Sequence, residues 1–163
     1  MIKLKSLIKE KFDVDTHTGN DDINDLHRSI LLKNLDTFTK AYITGALFTE
    51  TDNLEPNGGE PLDKKYTIED IDPSTIKQME KDCKDFQSKY SELYESGGWN
   101  DDTAAFDFWL TRNGHGSGFW DRNWYDNTNE VGKQLSKFAK SYGGYHLYLG
   151  DGQYDGVIFG TKG

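Results

Sequence analysis

Ile76, Met79, Cys83, Phe86, Tyr90 and Leu93 step along the chain by 3, 4, 3, 4 and 3 residues. That spacing places all six on one face of an α-helix. Asp72 is a suitable cap ahead of them, Pro73 fits the first helical turn, and Gly97-Gly98 ends the pattern. The stripe is too apolar to face water, so the helix must lie against a core, with its charged residues on the wet side. Cys83 lies on the buried stripe and reads as an inert core thiol rather than a nucleophile.

Other segments repeat the helical signal. Ile23, Leu26, Ile30, Leu31, Leu35, Phe38, Tyr42 and Ala46 recur at three- and four-residue steps, one stripe opened by Asp21 or Asp22 as a cap. His27 beside it reads as a flanking residue. A shorter helix runs from Asp101 or Asp102 through Ala104, Ala105, Phe108 and Trp109 to about Leu110 or Arg112. Another starts at Asn129, turns Val131, Leu135, Phe138, Ala139 and Tyr142 inward, and stops at Gly143-Gly144.

Between the helices, Thr49 to Tyr66 carries Pro56, Asn57-Gly58-Gly59 and Pro61 and reads as a long acidic loop. Thr67 with Asp70 resembles a capping box for a single turn. Tyr145 to Leu149 alternates, meets Gly150-Asp-Gly152, and continues to Tyr154 and Val157-Ile-Phe159, a hairpin signal. Phe119-Trp120 reads as extended. The expected fold is α+β: a helix-rich globular domain over residues 21–163, with about four helices and a small antiparallel sheet near the C-terminus. Residues 1–20 read as a separate arm. Ile2, Leu4, Leu7, Ile8 and Phe12 could form a short amphipathic helix there, suited to packing or subunit contact more than to a membrane.

Charge and cysteine usage exclude several classes. With 28 acidic residues against 19 basic ones the net charge is -9. Direct nucleic-acid binding is therefore not expected, since it needs clustered Lys and Arg; Lys3, Lys5, Lys9 and Lys11 are a local exception. A single cysteine rules out an internal disulfide framework and a cysteine-based zinc site. No apolar run approaches a membrane span, and the first residues lack the pattern of a secretory signal. The compartment expected is the cytoplasm.

Ionisable groups, aromatic rings and glycines are densest from Asp107 to Arg122, 16 residues with two Trp, two Phe, two Arg, two Asp, one His and three Gly. Gly114, Gly116 and Gly118 alternate around His115 and Ser117. The pattern is not the dinucleotide fingerprint, which needs G-x-G-x-x-G between a strand and a helix, and Ser117 is not in a G-x-S-x-G elbow. His115, Ser117 and Asp121 are close in sequence, but a triad is defined by spatial geometry. His115 and Asp121 could join Asp52, Glu60 or Asp63 around a divalent cation. Yet there is no paired-His motif, and the EF-hand pattern fails near Asp13 and Asp151. No metal and no cofactor is expected. The plain alternative is that Phe106, Phe108, Trp109, Phe119 and Trp120 are mostly core and that Arg112 pairs with Asp121 to fix the turn.

The segment Phe108-Trp-Leu-Thr-Arg-Asn-Gly-His-Gly-Ser-Gly-Phe-Trp-Asp121 resembles a motif of an uncharacterised family of small bacteriophage-encoded proteins. Gly58-Gly-Glu-Pro-Leu-Asp63, with Tyr66, Ile68, Asp70 and Ile71 after it, and Leu147-Tyr-Leu-Gly-Asp-Gly152 are similar to the same group. The resemblance covers about residues 41–155, leaves residues 1–20 outside, and implies a viral source without an activity.

The resulting expectation is a phage accessory protein of the host cytoplasm that binds a host or viral macromolecule as modulator or inhibitor. Its recognition surface would combine the turn with the acidic loop. Arg112 and Asn113 would give directed hydrogen bonds, His115 a neutral or charged contact, Trp120 an anchor, and Asp121, Glu60 and Asp63 carboxylates. Three other readings stay open. One is a small enzyme with His115 as general acid/base oriented by Asp121 or Asp107. The second is an acidic DNA mimic, and the third a single-strand nucleic-acid binder using aromatic faces.

Overall fold

The computed structural model describes residues 21–122, 124 and 127–163, with side chains described from residue 25 onward. The arm expected over residues 1–20 lies outside the described residues. The chain divides into two units, Met1–Asn34 and Leu35–Gly163. The division falls C-terminal of the arm boundary read from the sequence. In the first unit the described element is helix α1, Asp21–Lys33.

Among its described residues the second unit holds four more α-helices, α2 (Thr37–Thr49), α3 (Pro73–Ser96), α4 (Asp101–Arg112) and α5 (Glu130–Ser141). They precede strands β1 (Tyr145–Leu149) and β2 (Ile158–Lys162). The fold is α+β, helix-dominated, with its sheet at the C-terminal end. The stripe expected as one helix from Asp21 to Ala46 is two. Asp36 interrupts it: its backbone is extended (φ -76, ψ 171), and its carboxylate accepts the Thr39 N–H at 2.8 Å. A helix start needs such an acceptor for its orphan N–H groups, and here that local bond overrides a continuing apolar period.

Helix α3 forms as its spacing requires. Asp72 accepts from Ser74 N and Thr75 N, Pro73 occupies the first turn, and Ile76, Met79, Cys83 and Phe86 are buried. Near the C-terminal end Tyr94 takes the fully buried place, while Tyr90 and Leu93 are half-buried. Asn100 caps α4 by accepting from Thr103 N at 2.9 Å. Phe86 is the hub of an aromatic core: its ring stacks on Phe108 of α4 with centroids 4.2 Å apart and 16° between planes. Phe38, Phe119 and Tyr142 lie within 6.1 Å of it. Such rings contribute large burial plus a specific packing geometry. Helices α2 and α4 approach closely because Gly45 has no side chain; a Cβ there would overlap the Phe106 ring.

The two strands pair antiparallel, Tyr145 with Lys162 through Leu149 with Ile158. Tyr145, Leu147 and Leu149 point inward and are buried. Backbone groups on the other edge of β1 meet side chains: Tyr145 N donates to Asn113 Oδ1 (2.8 Å), Leu149 N to Asn53 Oδ1 (2.7 Å), and Asn53 Nδ2 donates to Leu149 O (3.4 Å). On the far side of β2, Ile158 O accepts from Asp72 N at 2.8 Å and Gly160 N donates to Thr75 Oγ1 at 3.0 Å. The acidic loop is folded back on itself. Thr51 bridges Pro61, Asp52 N donates to Glu60 O at 3.0 Å, and Leu62 is buried. Thr67 and Asp70 form the expected capping box. Among the described residues no helix is long and apolar enough to cross a membrane.

Candidate functional site

The turn after α4 is a helix C-cap. Gly114 N donates to Thr111 O (3.2 Å) and His115 N to Leu110 O (3.0 Å), with Gly114 left-handed at φ 69. This pair of crossed bonds satisfies the last carbonyls of the helix and needs a residue tolerant of positive φ. Asn113 ties the cap down: its Nδ2 donates to Trp109 O at 3.0 Å while its Oδ1 receives Tyr145 N. His115 is half-buried, and among the described residues its imidazole has no hydrogen bond or ion pair. General acid/base catalysis by this histidine would use a carboxylate to orient it. Neither Asp107 nor Asp121 does so.

Arg112 does not pair with Asp121 and does not face a partner. Its side chain is completely buried. Nη1 donates to Asp82 Oδ2 (2.9 Å) and Tyr42 Oη (2.9 Å), Nε to Gly143 O (2.8 Å), and Nη2 to Tyr142 O (3.3 Å). The guanidinium also lies 5.4 Å from the Phe108 ring centre and 5.7 Å from those of Tyr142 and Tyr145. The role expected for it in directed contacts is therefore corrected to one of framing. Arg112 binds α2, α3 and the end of α5 to α4, filling a planar fork of donors that a lysine could not match. Burial pushes the Tyr42 phenol well up, and Arg112 beside it offsets only part of that shift.

Asp121 caps a 3-10 turn, Phe119–Asp121, by accepting Gly118 N at 3.0 Å. Phe119 and Trp120, expected to be extended, are part of that turn. Phe119 is fully buried, and its N–H donates to Thr111 Oγ1 at 3.1 Å. Gly118 is extended and lies so close to Thr111 that a Cβ would overlap its hydroxyl. Asn129 reaches across to the carbonyls of Phe119 (3.1 Å) and Trp120 (2.8 Å). The Trp120 side chain stays 46% exposed.

A second ion pair, buried at its carboxylate and half-buried at its guanidinium, underlies the segment, and sequence reasoning missed its connection. Asp107 accepts from Arg122 Nη2 (2.9 Å), from Arg122 Nε (3.2 Å) and from the Trp99 indole (2.7 Å). The fork fixes the stretch after the 3-10 turn to the middle of α4. A signal was present: Asp107 and Arg112 both fall inside the apolar spacing of α4, and charges on a buried face require partners.

Glu60 and Asp63 are exposed on the acidic loop. Among the described residues no hydrogen bond or ion pair joins either of them to residues 112–121. That loop is fixed at the Leu149 end of β1 through Asn53, whereas the turn is fixed at the Tyr145 end through Asn113. The His146 imidazole and Glu50 carboxylate meet at 3.1 Å alongside. Among the described residues no group of three or more His, Cys, Asp and Glu side chains is placed to hold a metal ion. Cys83 is fully buried, and burial pushes its thiol well above the usual range. What remains on the surface of the turn is His115, Trp120 and Asp121, held on a frame of cap bonds and two ion pairs, each with one fully buried partner. Comparison with protein families, with curated proteins and with solved structures finds no match.

Proposed function

We propose that the protein is a phage accessory protein that binds a host or viral protein, as modulator or inhibitor, through the turn carrying His115, Trp120 and Asp121. The observation supporting this is the exposed Trp120 on an otherwise closely bonded segment. A half-exposed tryptophan with its backbone carbonyl already bonded to Asn129 is preorganised, and preorganisation reduces the entropy lost on association. Tryptophan is also among the residues most enriched at binding hot spots. In this reading Arg112 and Asn113 frame the turn, and Glu60 and Asp63 belong to a separate acidic surface. The viral part of the proposal rests on the motif resemblance.

Affinity capture from infected-cell lysate tests it, using parent, Trp120→Ala and His115→Ala proteins with matched melting curves. Loss of a hot-spot tryptophan costs about 2 kcal/mol or more, roughly 30-fold in affinity. A partner retained by the parent and lost by Trp120→Ala supports the site. Equal recovery of every captured protein by all three refutes it.

A further inference from the structure

The outer face of the hairpin is aromatic, acidic at one end, and exposed. In β1 the outward positions are His146 and Tyr148, paired across the sheet with Thr161 and Phe159. Tyr148 lies with its ring centre 5.8 Å from that of Phe159, and Tyr154 meets the same ring edge-on at 5.6 Å and 89°. Tyr148 is 41% exposed and Tyr154 52%. Asp151 and Asp155 flank Tyr154 in the turn, both exposed, and neither has a cationic partner among the described residues. Apart from His146, the cation of residues 145–162 is Lys162, at the opposite end of the ladder.

From these features we infer that the hairpin's outer face docks a basic polypeptide segment. Tyrosine and phenylalanine faces attract Lys and Arg through their ring quadrupoles. The two unpaired aspartates add attraction over distance and fix which end of the face the cations meet. The same carboxylates repel phosphate, which disfavours nucleic acid and anionic lipid headgroups. The segment docks on the face and not by adding a strand. Asn53 and Asn113 occupy the open edge of β1, and Asp72 and Thr75 engage that of β2. This surface is separate from the Trp120 turn and does not depend on it.

The test is a titration of the isotope-labelled full chain with a ten-residue peptide of alternating Arg and Ser, followed by amide NMR. An alternating Glu-Ser peptide serves as control. The expected result is saturable shifts concentrated at residues 146–159 with the basic peptide and none with the acidic one. Tyr148→Ser with Tyr154→Ser should weaken binding about 5- to 30-fold, the worth of two exposed cation–π contacts. Both side chains are exposed, so the fold should persist, and Asp151→Asn with Asp155→Asn provides a second variant that should also weaken binding. Shifts as large at Asp52, Glu60 and Asp63 as on the hairpin, or undiminished binding by the double tyrosine variant, would overturn the inference. So would an absence of binding by the parent protein.

Discussion

Gly114, Gly116 and Gly118 look equivalent in the sequence, yet each meets a different surrounding. Gly114 is left-handed with open space around it, Gly116 has open space and no positive φ, and Gly118 presses on Thr111. Alanine at 114 should cost about 1–2 kcal/mol through backbone strain alone. At 118 it should cost about 1–3 kcal/mol through overlap. At 116 it should be neutral or stabilising by up to about 1 kcal/mol, because it restricts the unfolded chain. Urea denaturation of the three variants separates them, and a loss at 116 equal to that at 118 would contradict the geometry. Arg112→Ala should cost about 3–5 kcal/mol, since it leaves the Asp82 carboxylate without its cationic partner, with Gln78 as its remaining donor, and the Tyr142 and Gly143 carbonyls without their Arg112 donors. A denaturation midpoint within error of the parent would show the fork to be dispensable. Arg112 could be read as inward-facing, since it follows Phe108 by four residues. Its partner could not: Asp82 lies 30 residues away, and only tertiary packing pairs them.

At the scale of elements, the sheet is protected by side chains from the helical layer and the acidic loop. Successive residues of a strand present their amides to opposite edges, so Tyr145, Leu147 and Leu149 share the open edge of β1. Asn113 and Asn53 meet the first and last of these. Replacing both asparagines by alanine should cost about 1 kcal/mol for each lost bond to the strand. It should also produce concentration-dependent dimers, because an uncovered edge is a template for pairing. Sedimentation showing a monomer at all concentrations would count against that role. The helix α3 was legible because capping residue, proline, stripe and terminating glycines all agree. The break between α1 and α2 was not, because apolar residues keep the helical period across Asn34, Leu35 and Asp36. The hairpin was legible from alternation and glycines, but its asparagine edges were not, since the bonds span 32 and 96 residues.

For the whole molecule, the aromatic core carries a pH limit. Burial pushes the phenols of Tyr42, Tyr94, Tyr142 and Tyr145 up. Tyr94 and Tyr142 are raised further because they donate to the Asp101 and Asp85 carboxylates at 2.6 and 2.5 Å. A folded state that holds these protons more tightly than the unfolded chain is favoured below the unfolded value of about 10, and it loses that advantage as pH rises beyond it. Alkaline titration should therefore show tyrosinate absorbance from these four rising together with loss of helical circular dichroism. Complete ionisation of all tyrosines with the helical signal intact would remove the prediction.

Cys83 lies in that same core, fully buried on α3 next to the Phe86 hub. As the sole sulfhydryl of the chain, it makes the protein its own clock. Any alkylating reagent is admitted only when the helices part, so the labelling half-life follows the population of the open state at low reagent and the rate of opening once alkylation outpaces reclosing. Helix opening is thereby measurable in crude lysate, with no dye, tag or engineered residue.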